Sequence, residues 1–593
     1  MKRSIHFLET LFCLLLLIFA AGRVGFMLYN RHIETFSFFD VLHVLRTGLL
    51  SHDIFIVALL LVVPWLAALV AVRRKGFPLR AILTPYYILM GVAVSLIIVA
   101  DIVMYEFWQF KLSAVVLSYA ASPEGVTNSV SVWFLLLRIF MLVALMLLLI
   151  VPCVCLTPKH LECSVPARLW MRNITIIWTF ILFISLFFMR IGDAYFSPRL
   201  FLNHAAVNPV YAFATSFPME KSYNFLEPEE QAEAFRDLYP EKTEDILPSD
   251  TLLRTQRPNI LIVLIESFGG KFVKELGGLP DVSPNWSRLI PEGIFWENYY
   301  SNSFRTDRGT VSTYSGWISY PTVSLMKHTK CHEQLPSIAK TLSDNGYTTS
   351  YLYAGDMTNM GKAEYLRNMH FQQLLDHTAF TADELSTGWG VNDSISAMKA
   401  YHLIAETDST AHWLMAYQTL SSHEPWIVPY HRLEDEKLNA FAFTDHCLGQ
   451  LVDSLKTLPQ WDNMLVIMLP DHGFLYEQSY EDPEFFHSPM LWLGGAIREP
   501  RRMRVFMNQS DLAATMLSQM GIGHDDYPWS RNVLSAHYKY PFVYCNFPAG
   551  ILFADSTGVS IFDIIAGEVI TELPVSSPDR IRKAQAILQE TNY

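Results

Sequence analysis

The chain has 593 residues, of which 51% are hydrophobic and only 17% are charged. This composition excludes a disordered protein, a coiled coil and a collagen-like fibre. Residues 1–190 hold 15 Lys and Arg against 8 Asp and Glu, whereas residues 191–593 hold 29 against 49. The first third is therefore apolar and mildly basic, and the remainder is acidic. An acidic soluble part argues against nucleic acid as a partner, because phosphate backbones bind basic surfaces.

Long apolar runs predict a membrane domain over residues 1–190. A helix needs ~20 residues to cross ~30 Å of hydrocarbon. Five runs are long enough, at about 6–29, 53–72, 82–104, 131–155 and 171–189. We therefore predict a multi-pass α-helical domain with five spans. Arg23 and Arg138 fall within or at the edge of these runs, where each either snorkels or pairs with another helix, or contacts an anionic lipid head group.

The distribution of Lys and Arg between the loops predicts the orientation of these spans. One side of the membrane would hold nine basic residues: Lys2, Arg3, Arg73, Arg74, Lys75, Arg80, Lys159, Arg168 and Arg172. The loops of the other side, 30–52 and 105–130, hold Arg31, Arg46 and Lys111. Because basic loops stay in the cytoplasm, the N-terminus is predicted to be cytoplasmic and everything after Arg190 extracytoplasmic, that is periplasmic or extracellular. The first run also resembles a signal peptide, and its cleavage would leave this orientation unchanged.

The rest of the chain is predicted to form a linker over residues 191–255 and a catalytic domain over residues 256–593. Residues 191–255 contain aromatic residues, prolines and an acidic stretch, which indicates a linker with juxtamembrane helices. Residues 256–593 contain three cysteines, Cys331, Cys447 and Cys545, so at most one disulfide can form there. A domain of this length can be stable through its own hydrophobic core.

Alternating strand and helix patterns after Pro258 predict an α/β domain. Apolar, β-branched runs bounded by polar turns occur at 259–267, 348–355, 413–420, 464–470 and 490–495. Helical patterns such as 335–346 and 440–458 separate them. Near-continuous apolar strands separated by helices indicate a mainly parallel sheet that is buried on both faces. In such sheets ligands bind beyond the carboxyl ends of the strands.

Acidic and imidazole side chains follow three of these strands. The run 259–265 ends in Glu266, the run 464–470 ends in Asp471 and His472, and the run 413–420 leads to His423. A single acid after a strand is most often a helix cap, but three strand ends here deliver such groups to the same edge. Carboxylates with imidazole are ligands for a divalent cation, and an oxygen-rich set favours Mn²⁺ or Mg²⁺ over Zn²⁺.

A hydroxyl-rich segment at 302–316 supplies a candidate nucleophile. It contains Thr306, Thr310 and two arginines, and it runs into a short helix. A hydroxyl at a helix N-terminus lies where backbone N–H groups favour an anion. A metal bound to that hydroxyl lowers its pKa and makes it a nucleophile at neutral pH. Taken alone, the segment is equally compatible with a capped loop of solvated Ser and Thr.

These residues together resemble the alkaline phosphatase–sulfatase superfamily, and more narrowly the lipoteichoic acid synthase type of phosphoglycerol transferase, over about 255–535. The resemblance implies a sulfatase-like α/β domain with a mainly parallel sheet flanked by helices, behind five membrane spans. It implies that Glu266, Thr306, Asp471 and His472 bind one metal ion, with Mn²⁺ expected and Mg²⁺ or Zn²⁺ as alternatives. The resemblance makes Thr306 the expected nucleophile, because the nucleophile of sulfatases begins a helix that reaches a glycine ten residues later, and Gly316 has that spacing from Thr306. Thr310 is the alternative.

The resemblance also suggests which residues contact the substrate. His423 would bind the phosphate or glycerol or act as a general acid, and Trp389 belongs to a segment near the pocket. Lys362 occupies the place of a substrate-binding arginine, which weakens a bidentate phosphate contact. His487 resembles a residue that lies late in the sequences of the superfamily and near the metal. Arg305 or Arg308 would offset the negative charge that develops in the reaction.

The expected function is metal-dependent transfer of a phospholipid head group, phosphoglycerol from phosphatidylglycerol, to an envelope glycan, lipid or polymer through a phosphothreonine intermediate. Phosphoethanolamine transfer is an alternative, although by resemblance those enzymes carry several disulfides and this chain has few external cysteines. A sulfatase or phosphodiesterase that uses water as acceptor is another. A non-catalytic alternative is a membrane-anchored binding protein on a degenerate hydrolase fold, but all four residue types of the proposed metal site are present.

Overall fold

The computed structural model describes residues 6–114, 116–117, 132–162, 164–217, 223–236, 238–239, 250–358, 361–408 and 410–591. The chain divides into two units, the first comprising 1–121, 130–219 and 565–567 and the second comprising 122–129, 220–564 and 568–593. The predicted linker 191–255 is therefore not a separate region. Its earlier part belongs to the first unit. Its later part belongs to the second, where Gln589 of the C-terminal helix accepts hydrogen bonds from the Phe225 and Leu226 N–H groups.

The first unit is helical. Its helices are α1 (Phe7–Tyr29), α2 (Phe38–Gly48), α3 (Ile54–Leu60), α4 (Val62–Ala71), α5 (Leu79–Trp108), α6 (Val132–Leu156), α7 (Val165–Phe188), α8 (Leu200–Ala206) and α9 (Pro209–Thr215). Among the described residues, five helical stretches are long and apolar enough to cross a membrane: Phe7–Tyr29, Phe38–Leu60, Leu79–Trp108, Val132–Leu156 and Val165–Ile184. The prediction of five apolar helices is confirmed.

The second of these helices differs from the prediction. The predicted run begins at residue 53, whereas the helical stretch begins at Phe38 and is interrupted near Leu61. Ser37 and Asp40 form a capping box that starts the helix, which is a favourable N-terminal arrangement. The apolar run begins later in the sequence because Asp40, His43, Arg46 and His52 interrupt residues 38–52. Asp53 is polar but is buried in an ion pair with Arg23.

Both arginines of the apolar helices, Arg23 and Arg138, contact neighbouring helices. Arg23 donates to the Asp53 carboxylate, with 2.7 Å between Nη2 and Oδ1, and to the Ala206 carbonyl. Arg138 donates to the Tyr29 hydroxyl and lies over the Phe134 ring. Pairing between helices, one of the two interpretations of these residues, is therefore what the structure contains. A buried charge without such partners would be costly in hydrocarbon.

The second unit contains a large, mainly parallel sheet. Its strands are β1 (Asn259–Ile265), β2 (Ile294–Tyr300), β3 (Thr348–Tyr353), β4 (Gln373–Leu375), β7 (Trp413–Gln418), β8 (Met464–Pro470), β9 (His487–Leu493), β10 (Arg501–Met503) and β11 (Met507–Asn508). The order is β10-β2-β9-β8-β1-β7-β3-β4, with β11 also paired to β2. Only β9 runs antiparallel to its neighbours, β8 and β2. A two-residue strand, β6 (Gly390–Val391), pairs with β5 (Leu385–Thr387) outside this sheet.

Helices cover both faces of the sheet. The helices of this unit are α10 (Pro228–Phe235), α11 (Pro284–Leu289), α12 (Thr306–Ser315), α13 (Thr329–His332), α14 (Ile338–Asp344), α15 (Lys362–Asn368), α16 (Asp393–Ala405), α17 (Glu436–Leu455), α18 (Leu512–Gln519) and α19 (Pro578–Glu590). Of these, α10 and α19 pack against each other and not on this sheet. The central strands β1, β7 and β8 are buried at every position, and separate hydrophobic clusters lie on the two faces. This burial explains why these strands are continuous apolar runs in the sequence.

A second sheet follows the region covered by the family resemblance. It is antiparallel, in the order β12 (Phe542–Phe547), β13 (Gly550–Asp555), β14 (Gly558–Asp563) and β15 (Glu568–Leu573). Helix α19 packs against it through Ile581, Ile587 and Leu588. Neither this sheet nor strand β2 was predicted, because only the most continuous apolar runs indicated strands.

Candidate metal and nucleophile site

Two neighbouring parallel strands bring the acidic residues together. Strands β1 and β8 pair in register up to Ile265 and Pro470, so the residues that follow them emerge side by side. Ligand atoms of Glu266, Asp471 and His472 all lie within 4.8 Å of one another. The His472 Nε2 is 3.6 Å from Glu266 Oε1 and 3.7 Å from Asp471 Oδ2. Parallel pairing therefore produces the cluster that the strand-end pattern predicted.

Thr306 lies against this cluster at the first turn of α12. Its Oγ1 is 3.2 Å from each oxygen of the Glu266 carboxylate and 3.4 Å from the His472 Nε2. Thr310 is one turn further along and buried, and its hydroxyl donates to the Thr306 carbonyl over 2.7 Å. The structure thus brings Thr306 to the acidic cluster and turns Thr310 back onto its own helix.

The loop before α12 is held by the second sheet. Asn546 of β12 donates its backbone N–H to the Asn302 carbonyl, and its side-chain oxygen accepts from the Ser303 hydroxyl. The same side chain donates to the Ser319 carbonyl after α12. Asn546 is fully buried and contacts the chain on both sides of the helix that carries Thr306. The position of Thr306 therefore depends on a strand more than 200 residues away.

Two hydroxyl residues near the cluster had no sequence signal. Ser267 follows Glu266 with a φ of 55°, a backbone conformation that costs energy in a non-glycine residue. Its N–H donates to Asp471 Oδ1 over 2.7 Å, and its hydroxyl donates to Glu266 Oε1 over 3.0 Å. The Thr419 hydroxyl accepts from the Glu266 N–H over 2.9 Å. The two bonds from Ser267 hold the carboxylates in place, and the bond to Thr419 holds the Glu266 backbone.

The electrostatics of the cluster fit a divalent cation. Burial raises the pKa of Asp471 to about 6, and burial together with the Asp471 carboxylate raises the pKa of Glu266. Burial lowers the pKa of His472, which favours the neutral imidazole that binds metals. Among the described residues, Asp471 Oδ2 accepts no hydrogen bond although it is buried. Two buried carboxylates with an open oxygen and a neutral imidazole are the ligand set expected for one such ion.

His423 and Trp389 form the wall of a neighbouring pocket. The His423 Nδ1 donates to the Glu424 carbonyl over 2.9 Å. The ring centres of His423 and Trp389 are 4.7 Å apart. Asp393 anchors the loop that carries His423, because its carboxylate accepts from the Leu420 N–H and the Thr444 hydroxyl. Other residues lining the pocket include Ser386, Thr387, Asn392, Ser421 and Ile427.

Lys362 is a buried ammonium group beside the cluster. Its Nζ donates to Gln418 Oε1 over 2.6 Å and lies 3.8 Å from the centre of the Tyr353 ring. Burial lowers the pKa of Lys362 to about 8, against the opposing effect of the Glu266 and Asp471 carboxylates. The amine is therefore close to its titration range at neutral pH.

The structure separates the two arginines of the threonine segment. Arg305 is the residue immediately before α12, and its positive charge contributes to lowering the pKa of His472. Arg308 is directed elsewhere: its Nε donates to the Tyr320 carbonyl, and its guanidinium lies 4.7 Å from the Phe304 ring centre. Arg305 remains a candidate for substrate contact, and the expectation for Arg308 is not supported.

His487 is also engaged outside the cluster. Its Nε2 donates to the Glu297 carbonyl over 2.7 Å, and its Nδ1 lies 3.2 Å from Glu484 Oε2. The ring stacks on Tyr300. These contacts support the alternative interpretation, a histidine at the start of strand β9, rather than a residue that contacts the metal or substrate.

Comparison with known proteins agrees with this fold. Residues 258–522 match the model of the Sulfatase family. A crystal structure of a protein in the alkaline phosphatase superfamily from Vibrio parahaemolyticus is similar at 23% identity, covering 62% of this chain and 95% of that one, with a TM-score of 0.55. The lipoteichoic acid synthase LtaP from Listeria monocytogenes is similar at 16% identity, covering 62% and 97%, with a TM-score of 0.50.

Residues 258–522 of the second unit are thus similar to the Sulfatase family, and the unit has a fold similar to that of the Vibrio parahaemolyticus protein. The predictions of the fold class and of an enzyme are confirmed. At these identities the solved structures establish the fold alone, so the particular reaction is a separate question.

Proposed function

We propose that this protein transfers a phospholipid head group, phosphoglycerol from phosphatidylglycerol, to an acceptor in the cell envelope. The observation that carries the proposal is the position of Thr306 Oγ1, 3.2 Å from both Glu266 oxygens and 3.4 Å from His472 Nε2. A hydroxyl held in this way at a helix N-terminus is suited to attack a phosphoryl group.

Glu266, Asp471, His472 and Thr306 would hold one divalent cation, for which we expect Mn²⁺, with Mg²⁺ or Zn²⁺ as alternatives. When bound, such an ion lowers the pKa of a nearby hydroxyl and offsets negative charge on the phosphoryl oxygens. Asp471 and Glu266 are held ready for this role by the hydrogen bonds from Ser267.

The residues of the chain would carry out two displacements at phosphorus. Thr306 gives its hydroxyl proton to solvent, its Oγ1 bonds to the phosphorus, the bond from phosphorus to the diacylglycerol oxygen breaks, and His423 donates a proton to that oxygen. In the second displacement an acceptor hydroxyl gives its proton to His423 and bonds to the phosphorus, the bond from phosphorus to Thr306 Oγ1 breaks, and Thr306 regains a proton from solvent. Lys362 and Arg305 would stabilise the charge on the phosphoryl oxygens. Two in-line displacements retain the configuration at phosphorus.

The helical unit gives this chemistry a physical context. A phospholipid donor cannot leave the bilayer, so an enzyme that uses one benefits from a membrane anchor. We propose a multi-pass protein of the cell membrane with a cytoplasmic N-terminus and an extracytoplasmic, periplasmic or extracellular, sulfatase domain. The excess of Lys and Arg in one set of loops supports this orientation.

Other reactions of the same site differ in head group or acceptor. Of the three external cysteines, Cys447 and Cys545 are free and buried, which tells against the disulfide-rich phosphoethanolamine transferases of the resemblance. Sulfatase or phosphodiesterase activity would use water in the second displacement. Binding without catalysis is disfavoured because the nucleophile and the acidic cluster are assembled together.

The test compares two threonine variants of the purified full chain. With labelled phosphatidylglycerol and Mn²⁺, Thr306→Ala should release no diacylglycerol, whereas Thr310→Ala, whose hydroxyl only bonds to its own helix, should keep most of the activity. Mass spectrometry of the wild type should find a glycerophosphate adduct of 306 and none of 310. Full activity in Thr306→Ala would overturn the proposal. Turnover of a sulfate ester or of phosphatidylethanolamine by the wild type, with none of phosphatidylglycerol, would redirect it to the alternatives.

A further inference from the structure

A groove in the first unit is lined by arginines at one end and by apolar side chains along its length. It lies between α4 and α7 and has a volume of about 470 Å³, within the range of ligand sites. Its lining residues are Leu69, Val72, Arg73, Arg168, Met171, Arg172, Thr175 and Ile176. The Trp65 indole N–H donates to the Thr175 hydroxyl, which ties the two helices together beside the groove.

The arginine end of the groove belongs to the basic end of the helical unit. Arg73 follows the end of α4, and Arg168 and Arg172 lie in the first turns of α7. Hydrogen bonds from Arg80 to the Thr157 carbonyl and from Trp170 to Glu9 join the other helix ends of this side. The loops on this side carry most of the Lys and Arg of the unit.

The order of side chains along the groove matches a phospholipid. The three arginines are exposed at the rim, and no carboxylate is among the lining residues. Val72 and Met171 form a buried floor next to them. Further along α7, about two turns from Arg168, Ile176 is 63% exposed on the outer surface of a helix apolar enough to span a membrane. Positive charge therefore comes first and apolar surface follows in the direction of the bilayer interior.

We propose that this groove binds one anionic phospholipid from the leaflet on the basic side of the membrane. The guanidinium groups would bind the phosphate, and an acyl chain would lie along Leu69 and Ile176. Orientation in the membrane requires basic loops, but it does not require three arginines to converge on one groove. Arg74, Lys75 and Lys159 satisfy the same charge rule on the same side and do not line it.

This lipid is separate from the proposed donor. It is bound by the helical unit alone, and the inference stands whether or not the sulfatase domain transfers phosphoglycerol. Measuring binding rather than turnover keeps the two questions apart, and a Thr306→Ala background removes any consumption of lipid during the experiment.

The experiment measures lipid binding to the detergent-solubilised full chain by native mass spectrometry. The probe is dioleoyl phosphatidic acid, with dioleoyl phosphatidylcholine as the uncharged comparison. In the variant Arg73→Gln, Arg168→Gln, Arg172→Gln, the affinity of one phosphatidic acid should fall about tenfold or more, because each basic contact with an anionic lipid contributes. The matched variant Arg74→Gln, Lys75→Gln, Lys159→Gln removes the same charge from the same side and should bind as the wild type does. Where the triple variant does not fold, two single variants give the same comparison: Arg168→Gln, which lies in the groove, and Arg74→Gln, which does not.

Three results would overturn the proposal. The first is an equal loss of binding in the groove variant and its matched control, which would indicate attraction by overall charge. The second is equal binding of phosphatidylcholine, which would indicate an apolar groove without head-group recognition. The third is displacement of the lipid by millimolar inorganic phosphate, which would indicate an anion site without a role for the acyl chain.

Discussion

Gly309 lies directly against the backbone of Asp471. A methyl group on the Gly309 Cα would be 2.1 Å from the Asp471 carbonyl oxygen, far closer than atoms can approach. The helix that carries Thr306 thus packs on the strand end that carries two of the acidic-cluster residues, and the absence of a side chain at 309 sets the distance between them.

This contact predicts the effect of Gly309→Ala. The helix must shift away from Asp471, and a displacement of ~1 Å at a reacting group can cost about 100-fold in rate. We expect kcat to fall by about two orders of magnitude, with a loss of about 1–3 kcal/mol in the free energy of unfolding from overpacking. Gly523→Ala, where no heavy atom lies within 4 Å of the added methyl group, is the matched control and should leave both quantities unchanged. Normal diacylglycerol release by Gly309→Ala would show that the helix position is not critical.

The hydrogen bonds of Asn546 predict a link between the second sheet and catalysis. Asn546→Ala leaves the buried Ser303 hydroxyl and Ser319 carbonyl without this partner, at a cost of about 1–3 kcal/mol for a buried group left unsatisfied. Because these bonds flank α12, we expect kcat to fall at least tenfold while lipid affinity changes little. Kinetics and thermal unfolding of Asn298→Ala, which loses one hydrogen bond to an exposed Arg504 carbonyl, provide the comparison. Equal effects of the two variants on kcat would argue against a positioning role.

Metal binding at the acidic cluster predicts stabilisation by added Mn²⁺. An ion that binds only the folded state at 100 times its Kd adds about 2.7 kcal/mol to the free energy of unfolding. We expect Mn²⁺ to raise the Tm of the chelator-treated wild type and not that of Glu266→Gln. The structure offers a second carboxylate and imidazole group, Asp356, Asp376 and His377, which is partly exposed.

That second group provides the control. Asp376 accepts from the Thr378 N–H and hydroxyl in a turn, so Asp376→Asn removes an acid without touching the main cluster. The Tm increase with Mn²⁺ should persist in Asp376→Asn. Its loss there, with retention in Glu266→Gln, would move the metal site.

The lowered pKa of Lys362 predicts a pH dependence. Burial lowers this pKa from 10.5 to about 8, so the amine is charged below pH 8 and loses its proton as the pH rises through that value. If the ammonium binds the substrate phosphate, kcat/KM of the wild type should decline above about pH 8. Lys362→Met should have a lower kcat/KM without that decline. An unchanged alkaline limb in Lys362→Met would assign the decline to another group.

The lowered pKa of Lys362 also affects stability, which should rise with pH where kcat/KM falls. Between pH 8 and 10.5 the unfolded chain holds more protons at this amine than the folded chain does, so the free energy of unfolding rises with pH in that window. We therefore expect the chelator-treated wild type to gain Tm relative to Lys362→Met as the pH rises through this range. Measurements in chelator avoid a contribution from bound metal.

Much of the site could be predicted because its parts follow continuous buried strands. Glu266 and the pair Asp471 and His472 stand directly after β1 and β8, and parallel pairing of those strands brings them together. Thr306 could be proposed from its segment, but the preference over Thr310 rested on a spacing. The hydrogen bond from Thr310 to the Thr306 carbonyl is visible only in three dimensions.

Local patterns were enough to predict the five apolar helices and the α/β order of the second unit, because long apolar runs and fully buried strands do not depend on distant residues. How individual side chains are used depends instead on contacts between segments that are far apart in the sequence. His487 and Arg308 have the residue types of a phosphate site, yet carbonyl groups from other segments bind them. Asn546 has no local pattern at all, and it acquires its role because a strand late in the chain packs beside the helix that carries Thr306.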